Sequence, residues 1–274
     1  MKYTYLILAT LILSCTSPNE QKEEEKAIER NPKEMLSEAY QLFKEGDDAA
    51  SIELAQEVLK IGKQTQNDTL IGRALTSMCR NAQRSLDTTR LERLSEQLED
   101  LSATTGNKQW LMYRAHMNAE MWRLIGNMDR AEAFYTESME ISNEIGAKGM
   151  YMIDHFNKSF VSTAKGDYKE ANALIKKYYA LRKKADPKSE DAYGLIALAY
   201  LLEQQKNCKG AHEVAVVTRR LFKEQNLFPE PPDEKPLLLV EEKVKDELDA
   251  DTLEKITANA SSQSVSSLLK KYLN

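Results

Sequence analysis

The sequence holds few of the residues that would commit it to chemistry or to a cross-linked framework. There are three cysteines and three histidines among 274 residues. Three cysteines cannot supply the set of bridges on which small secreted domains rely. Prolines number seven, and none lies between Pro32 and Pro187, so a long central stretch is free of helix breakers. Long alternating runs of Val, Ile and Thr, the mark of half-buried strands, are missing. No apolar run reaches the ~20 residues of a membrane-spanning helix. Positive charge is not in excess either: 38 Lys+Arg stand against 43 Asp+Glu, a net −5. That argues against nucleic acid as a partner, because a phosphate backbone calls for a concentrated basic face. The densest basic stretch, Lys176-Lys177-Tyr178-Tyr179-Ala180-Leu181-Arg182-Lys183-Lys184, reads as the solvated side of one helix. With 42% hydrophobic residues, what remains is an all-α composition.

The one oily stretch opens the chain. Lys2 supplies a positive charge, Tyr3 to Leu13 carry neither charge nor Gly or Pro, and small residues follow. This is the layout of a secretory signal peptide. Ile12-Leu13-Ser14-Cys15 resembles the bacterial lipoprotein cleavage box. The resemblance implies a signal peptide over 1–14, cleavage before Cys15, acylation of Cys15, and a chain anchored to a membrane without spanning it. Residues 15–31 read as an acidic tether too polar to bury a core. Within it Gln21-Lys22-Glu23-Glu24-Glu25 is similar to the export signal of Bacteroidetes surface lipoproteins, displaced by five residues from its usual place after the cysteine. The expected location is the cell envelope, at the periplasmic or the outer face of the outer membrane.

Beyond Pro32 the chain repeats every 40 residues. One column, Ala39, Cys79, Ala119, Ser159, Ala199, is all small. Two more, Leu54, Leu94, Phe134, Leu174, Val214 and Ile61, Leu101, Ile141, Leu181, Leu221, are apolar. They lie seven apart and share a helix face that must be buried. A fourth, Ser51, Leu91, Ala131, Ala171, Ala211, is small in four of its members. Turns such as Gly46-Asp47, Gly126-Asn127 and Gly166-Asp167 provide a left-handed helix exit and a cap for the next helix. Asp167 with Glu170 has capping-box spacing. Each unit is a pair of antiparallel helices of ~16–18 residues that cannot bury its apolar face alone.

Ala119, Trp122, Gly126, Ala131 and Tyr135, and then Ser159, Gly166, Asp167, Tyr168 and Ala171, resemble the tetratricopeptide repeat. The departures are the 40-residue period, where the family has ~34, and Leu86 at a glycine position. The resemblance implies five repeats over 32–226 in a right-handed all-α solenoid. After Asn226 the columns fail. The proline-rich stretch 227–236 reads as a stiff linker. Residues 237–274 read as a helical cap, with helices near 237–249, 251–260 and 263–273, the middle one opened by Asp251-Thr252-Leu253-Glu254.

Catalytic signatures are missing from the chain: it has no phosphate-binding glycine loop, no nucleophile elbow and no His-Glu-x-x-His helix, since Val216 ends the match begun at His212-Glu213. His116 and Glu120 are four apart on one helix face, as are Cys208 and His212. Two ligands are too few for a metal site, and no cofactor is expected. Cys79, in the small column, reads as a packing residue. The family resemblance places the ligand on the inner wall formed by first helices. Its positions fall on Arg73, Arg80, Tyr113, His116, Glu120, Arg123, Phe156, Phe160, Tyr193 and Tyr200. The expectation is therefore a non-enzymatic scaffold that holds a protein or peptide. Two further readings are a sensory ectodomain like those of Bacteroidetes signalling proteins and a carbohydrate-capture lipoprotein.

Overall fold

The structure, a computed structural model, describes residues 30–187, 190–229 and 231–273. The expected signal peptide, Cys15 and the acidic run Gln21–Glu25 lie outside them. Among the described residues there are thirteen helices and no strand. Ten form five consecutive pairs: α1 Pro32–Glu45 with α2 Asp48–Gln64, α3 Asp68–Arg84 with α4 Thr88–Thr105, α5 Gln109–Ile125 with α6 Met128–Glu144, α7 Lys148–Ala164 with α8 Tyr168–Ala185, and α9 Tyr193–Gln204 with α10 Cys208–Glu224. Three more follow, α11 Pro231–Glu247, α12 Ala250–Ala260 and α13 Val265–Tyr272.

The period is set by the turns. A residue with positive φ recurs every twenty positions: Gly46, Gln66, Leu86, Gly106, Gly126, Gly146, Gly166, then Lys206 and Asn226. Position 186 is the exception; Asp186 is extended, at φ −143°, and the chain runs through a loop before α9. The next residue is usually Asp or Asn. Its carboxyl or amide oxygen accepts the amide of the third residue on, at 2.9–3.1 Å, for Asp47, Asn67, Asp87, Asn127, Asp167 and Asn207. Each such cap stabilises its helix by ~1 kcal/mol. The Leu86 turn thus keeps the geometry its glycine neighbours have.

Consecutive helices pack from α1 through α10, and the odd-numbered helices also pack directly on one another, α1 on α3, α3 on α5, α5 on α7 and α7 on α9. The small column makes those approaches possible. Ala39, Cys79, Ala119, Ser159 and Ala199 are all 0% exposed. Gly72 plays the same part for one bulky neighbour: a Cβ there would sit 2.5 Å from the Trp110 ring, which is itself buried.

The C-terminal region departs from expectation at one place. Residues 231–236, expected in the linker, are the first turns of α11. Pro231 and Pro232 occupy positions whose amides have no intrahelical partner, and only Pro236 costs the helix a hydrogen bond. Helix α11 packs on α9 and α10, and α12 and α13 on α10. Leu237, Val240, Val244, Ala260, Val265 and Leu268 join the same core as α7 to α10. Glu213 of α10, 6% exposed, fastens the end by accepting from Lys271 Nζ at 2.7 Å and from Tyr272 and Gln263.

Candidate functional site

Five of the ten expected ligand-facing residues turn out to be occupied by the protein itself. Phe156 and Phe160 are 6% and 4% exposed. Their rings pack edge to face at 5.0 Å, Phe156 meets Tyr178 at 5.5 Å, and Phe160 meets Tyr200 at 5.9 Å. They are core residues of the α7–α9 seam, which corrects their assignment to the open wall. The reason is local. Tyr178 and Tyr179 enter from α8 opposite Gly194, where a Cβ would lie 2.6 Å from the Tyr179 ring, and they cover what the register alone would leave open.

His116, Glu120 and Arg123 form a polar seam between α5, α6 and α7. His116 Nδ1 donates to Asp154 Oδ1 at 2.7 Å, and Ser138 Oγ donates to Asp154 Oδ2 at 2.6 Å. Asp154 and Ser138 are both 0% exposed. Arg123 donates to Glu120 Oε2 at 2.6 Å and, through Nε, to Tyr135 Oη at 3.2 Å, while the Tyr135 hydroxyl donates to Glu120. The Arg123 guanidinium also lies 5.4 Å from the Phe160 ring centre, so the polar and aromatic seams join. Burial pulls the His116 imidazole down, but Asp154 and then Glu120 outweigh it and raise its pKa above the ordinary value. Burial pushes the Glu120 carboxyl up, and Arg123 and His116 more than reverse it, leaving it lowered. Tyr135 is held well above the usual phenol range by burial and by Glu120.

The chemistry open to this cluster follows from its order. The hydroxyl, carboxylate and imidazole run Ser138–Asp154–His116, so Ser138 has a carboxylate beside it and no imidazole to take its proton. His116 and Glu120, weighed as a metal pair, point to different partners, and no group of three His, Cys, Asp or Glu suited to a metal occurs among the described residues. Burial pushes the Cys79 thiol up to about 12, which leaves it protonated and inert.

Five expected residues remain on the surface. Arg73 is exposed, and Arg80, Tyr113, Tyr193 and Tyr200 are half-buried. Arg80 lies 5.2 Å from the centre of the Tyr40 ring. Tyr113 stacks on Trp110 at 6.2 Å. Tyr193 packs on Phe222 at 5.1 Å and donates to the Phe228 carbonyl at 3.4 Å. That contact borders a cleft of about 440 Å³ lined by Phe222, Leu227, Phe228 and Glu234 among others. Phe228, at 80% exposed, was not foreseen there.

The sequence did carry a sign of the polar seam. Ser138 falls in a column with Val58 and Leu98, whereas the column of Asp154 already mixes Ala74 and Gly194 with Arg114. Only Ser138 stands out from its column. No protein family and no curated protein matches this chain.

Proposed function

We propose that the chain is a membrane-anchored, non-enzymatic scaffold of the bacterial cell envelope. Its helix pairs stack in the manner of tetratricopeptide repeats, and the wall made by the odd-numbered helices holds a protein or peptide. The stacking is supported by direct packing of each odd-numbered helix on the next and by left-handed turns at twenty-residue intervals. The anchor rests on the cleavage box ending at Cys15.

One observation carries the binding surface. Arg73 is exposed and Arg80 half-buried on α3, Tyr113 is half-buried on α5, which packs on α3, and neither arginine forms an ion pair with a described carboxylate, in contrast to Arg123. Accessible Arg and Tyr are the side chains that anchor interfaces. Arg123 serves the fold, so it makes a poor probe of binding.

Changing Arg73, Arg80 and Tyr113 together to Ala should leave the urea transition cooperative, Arg73 costing within ~0.5 kcal/mol and most of any fall in the midpoint coming from Tyr113, which stacks on Trp110. Capture of the partner from envelope extract should weaken by ~2 kcal/mol or more. Glu53, Glu96 and Glu99, exposed on even-numbered helices, changed to Ala form the control. Loss of capture in the control with retention in the triple variant would move the site to the other face. Fractionation of Cys15→Ala tests the anchor: processed, membrane-bound protein would sink that reading.

A further inference from the structure

Two even-numbered helices one repeat apart carry opposite charge and treat it differently. On α6 four of the carboxylates are matched by cations in or next to the odd-numbered helices. Lys165 reaches Asp129 and Glu132 at 2.7 and 2.6 Å, Arg114 pairs with Glu137 and Lys108 with Glu144. On α8 the exposed stripe is Lys169, Ala173, Lys176, Lys177, Ala180, Lys183 and Lys184. The positions recur at intervals of seven and eight, so all five lysines share one helix face. None of them has a carboxylate partner among the described residues. The one arginine nearby, Arg182, is spent on Asp191 at 2.5 Å. In a chain of net charge −5, five uncompensated cations on one face leave their counter-charge to something outside the molecule.

We propose that this stripe of α8 is a docking surface for the headgroups of an anionic phospholipid membrane. The helix dipole accounts for Lys183 and Lys184 in the last turn but not for Lys169, Lys176 and Lys177. Residue type then selects the partner. Lysines are flexible point charges without the planar fork that reads a carboxylate bidentately. Between them stand alanines, with no exposed aromatic or arginine anchor of the kind a protein interface concentrates. A straight run of 16 positions, ~24 Å at 1.5 Å per residue, matches a flat and laterally mobile layer of charge. The inference rests on the reading that Cys15 holds the chain at a membrane. The stretch between Cys15 and Arg30, roughly 50 Å when extended, is long enough for the body to lie down on the surface.

The test uses unacylated protein running from Thr16 onward, which keeps every described residue and removes any contribution from an acyl chain. Sedimentation with vesicles of phosphatidylcholine containing phosphatidylglycerol should show binding at low salt, none to pure phosphatidylcholine, and release at high salt as the charges are screened. Changing Lys169, Lys176, Lys177, Lys183 and Lys184 to Gln should lower the partition coefficient at low salt by ~100-fold or more, each lysine near an anionic surface being worth about five-fold. The control changes Lys33, Lys63, Lys223, Lys235 and Lys255, all exposed and on other helices, to Gln. An equal loss in the control would show a net-charge effect and overturn the assignment. So would failure of the parent protein to bind, or binding to polyglutamate or duplex DNA in its place. Because the protein tested has no lipid, a negative result here would leave the Cys15 reading standing, to be judged by fractionation.

Discussion

The seam between α5, α6 and α7 and the seam between α7, α8 and α9 occupy equivalent places, 40 residues apart, and are filled with opposite chemistry. Where the first has His116 and Glu120 the second has Phe156 and Phe160; Tyr135 becomes Ile175, Ser138 becomes Tyr178, and Asp154 becomes Gly194. The swaps are correlated in size. The small Ser138 leaves room for a carboxylate on the neighbouring helix, whereas the large Tyr178 requires a glycine there, a Cβ on Gly194 falling 2.7 Å from its ring. One backbone arrangement therefore accepts either a closed hydrogen-bond network or an aromatic cluster, provided one facing position shrinks where the other grows. What differs is the consequence of damage. An apolar seam loses contacts gradually, while a polar one leaves buried charges without partners.

The largest effect is expected from Asp154→Ala. It removes the carboxylate that balances His116 and receives Ser138, and breaking one side of a buried pair costs ~3–5 kcal/mol. Adding His116→Leu should recover part of that loss, since an apolar replacement has no charge to strand. Urea unfolding of the two variants checks this. If the double variant were as unstable as the single, the damage would lie in packing, and the contrast between the seams would collapse. Next in size is Gly194→Ala on the apolar side. Overpacking against Tyr178 and Tyr179 should cost ~1–3 kcal/mol, in spite of the ~1 kcal/mol by which alanine favours a helix interior. A more stable protein would mean that the two tyrosines move aside freely.

Much of the architecture was legible because its signals are local. The small column marks where helices touch, and all five of its members are fully buried. Glycine alone, however, understates the turns. Gln66, Leu86 and Lys206 adopt the same left-handed conformation because the helices on either side are held by packing and an Asx cap follows; Asn226 adopts it at the end of the last pair, with Leu227 next. The recurrence of Asp or Asn at 47, 67, 87, 107, 127, 167 and 207 was the better marker of the period. The start of helix α11 was misplaced because four prolines in 227–236 suggested a linker, although clustering at a helix start is where proline does least harm. The wall residues were the least legible. Register says which face a side chain takes, but whether that face stays open depends on partners 12 to 40 residues away, such as Tyr135 on Arg123 and Tyr200 on Phe160.

The smallest expected effect, and the one that separates the seams most cleanly, is in the pH dependence of stability. His116 faces Asp154 from α7, Tyr135 from α6, Glu120 on its own helix and the charge of Arg80 from α3. Its pKa in the folded protein is raised from 6.5, so its contribution is complete below 6.5 and is lost as pH climbs through the raised value. Glu120, lowered from 4.5, contributes above 4.5 and is lost only as pH falls through its lowered value. His155 and His212 are lowered by burial, and their contributions run the other way, fading as pH drops below 6.5. The useful quantity is therefore the difference between the parent and His116→Gln, measured as the urea midpoint from pH 5 to 9. That difference should be largest at the acid end of the range and shrink with rising pH, whereas Phe156→Leu, at the equivalent place in the apolar seam, should shift the midpoint by the same amount at every pH. A His116→Gln difference that is flat with pH would show that the imidazole is held by packing alone, and that the two seams differ in composition without differing in behaviour.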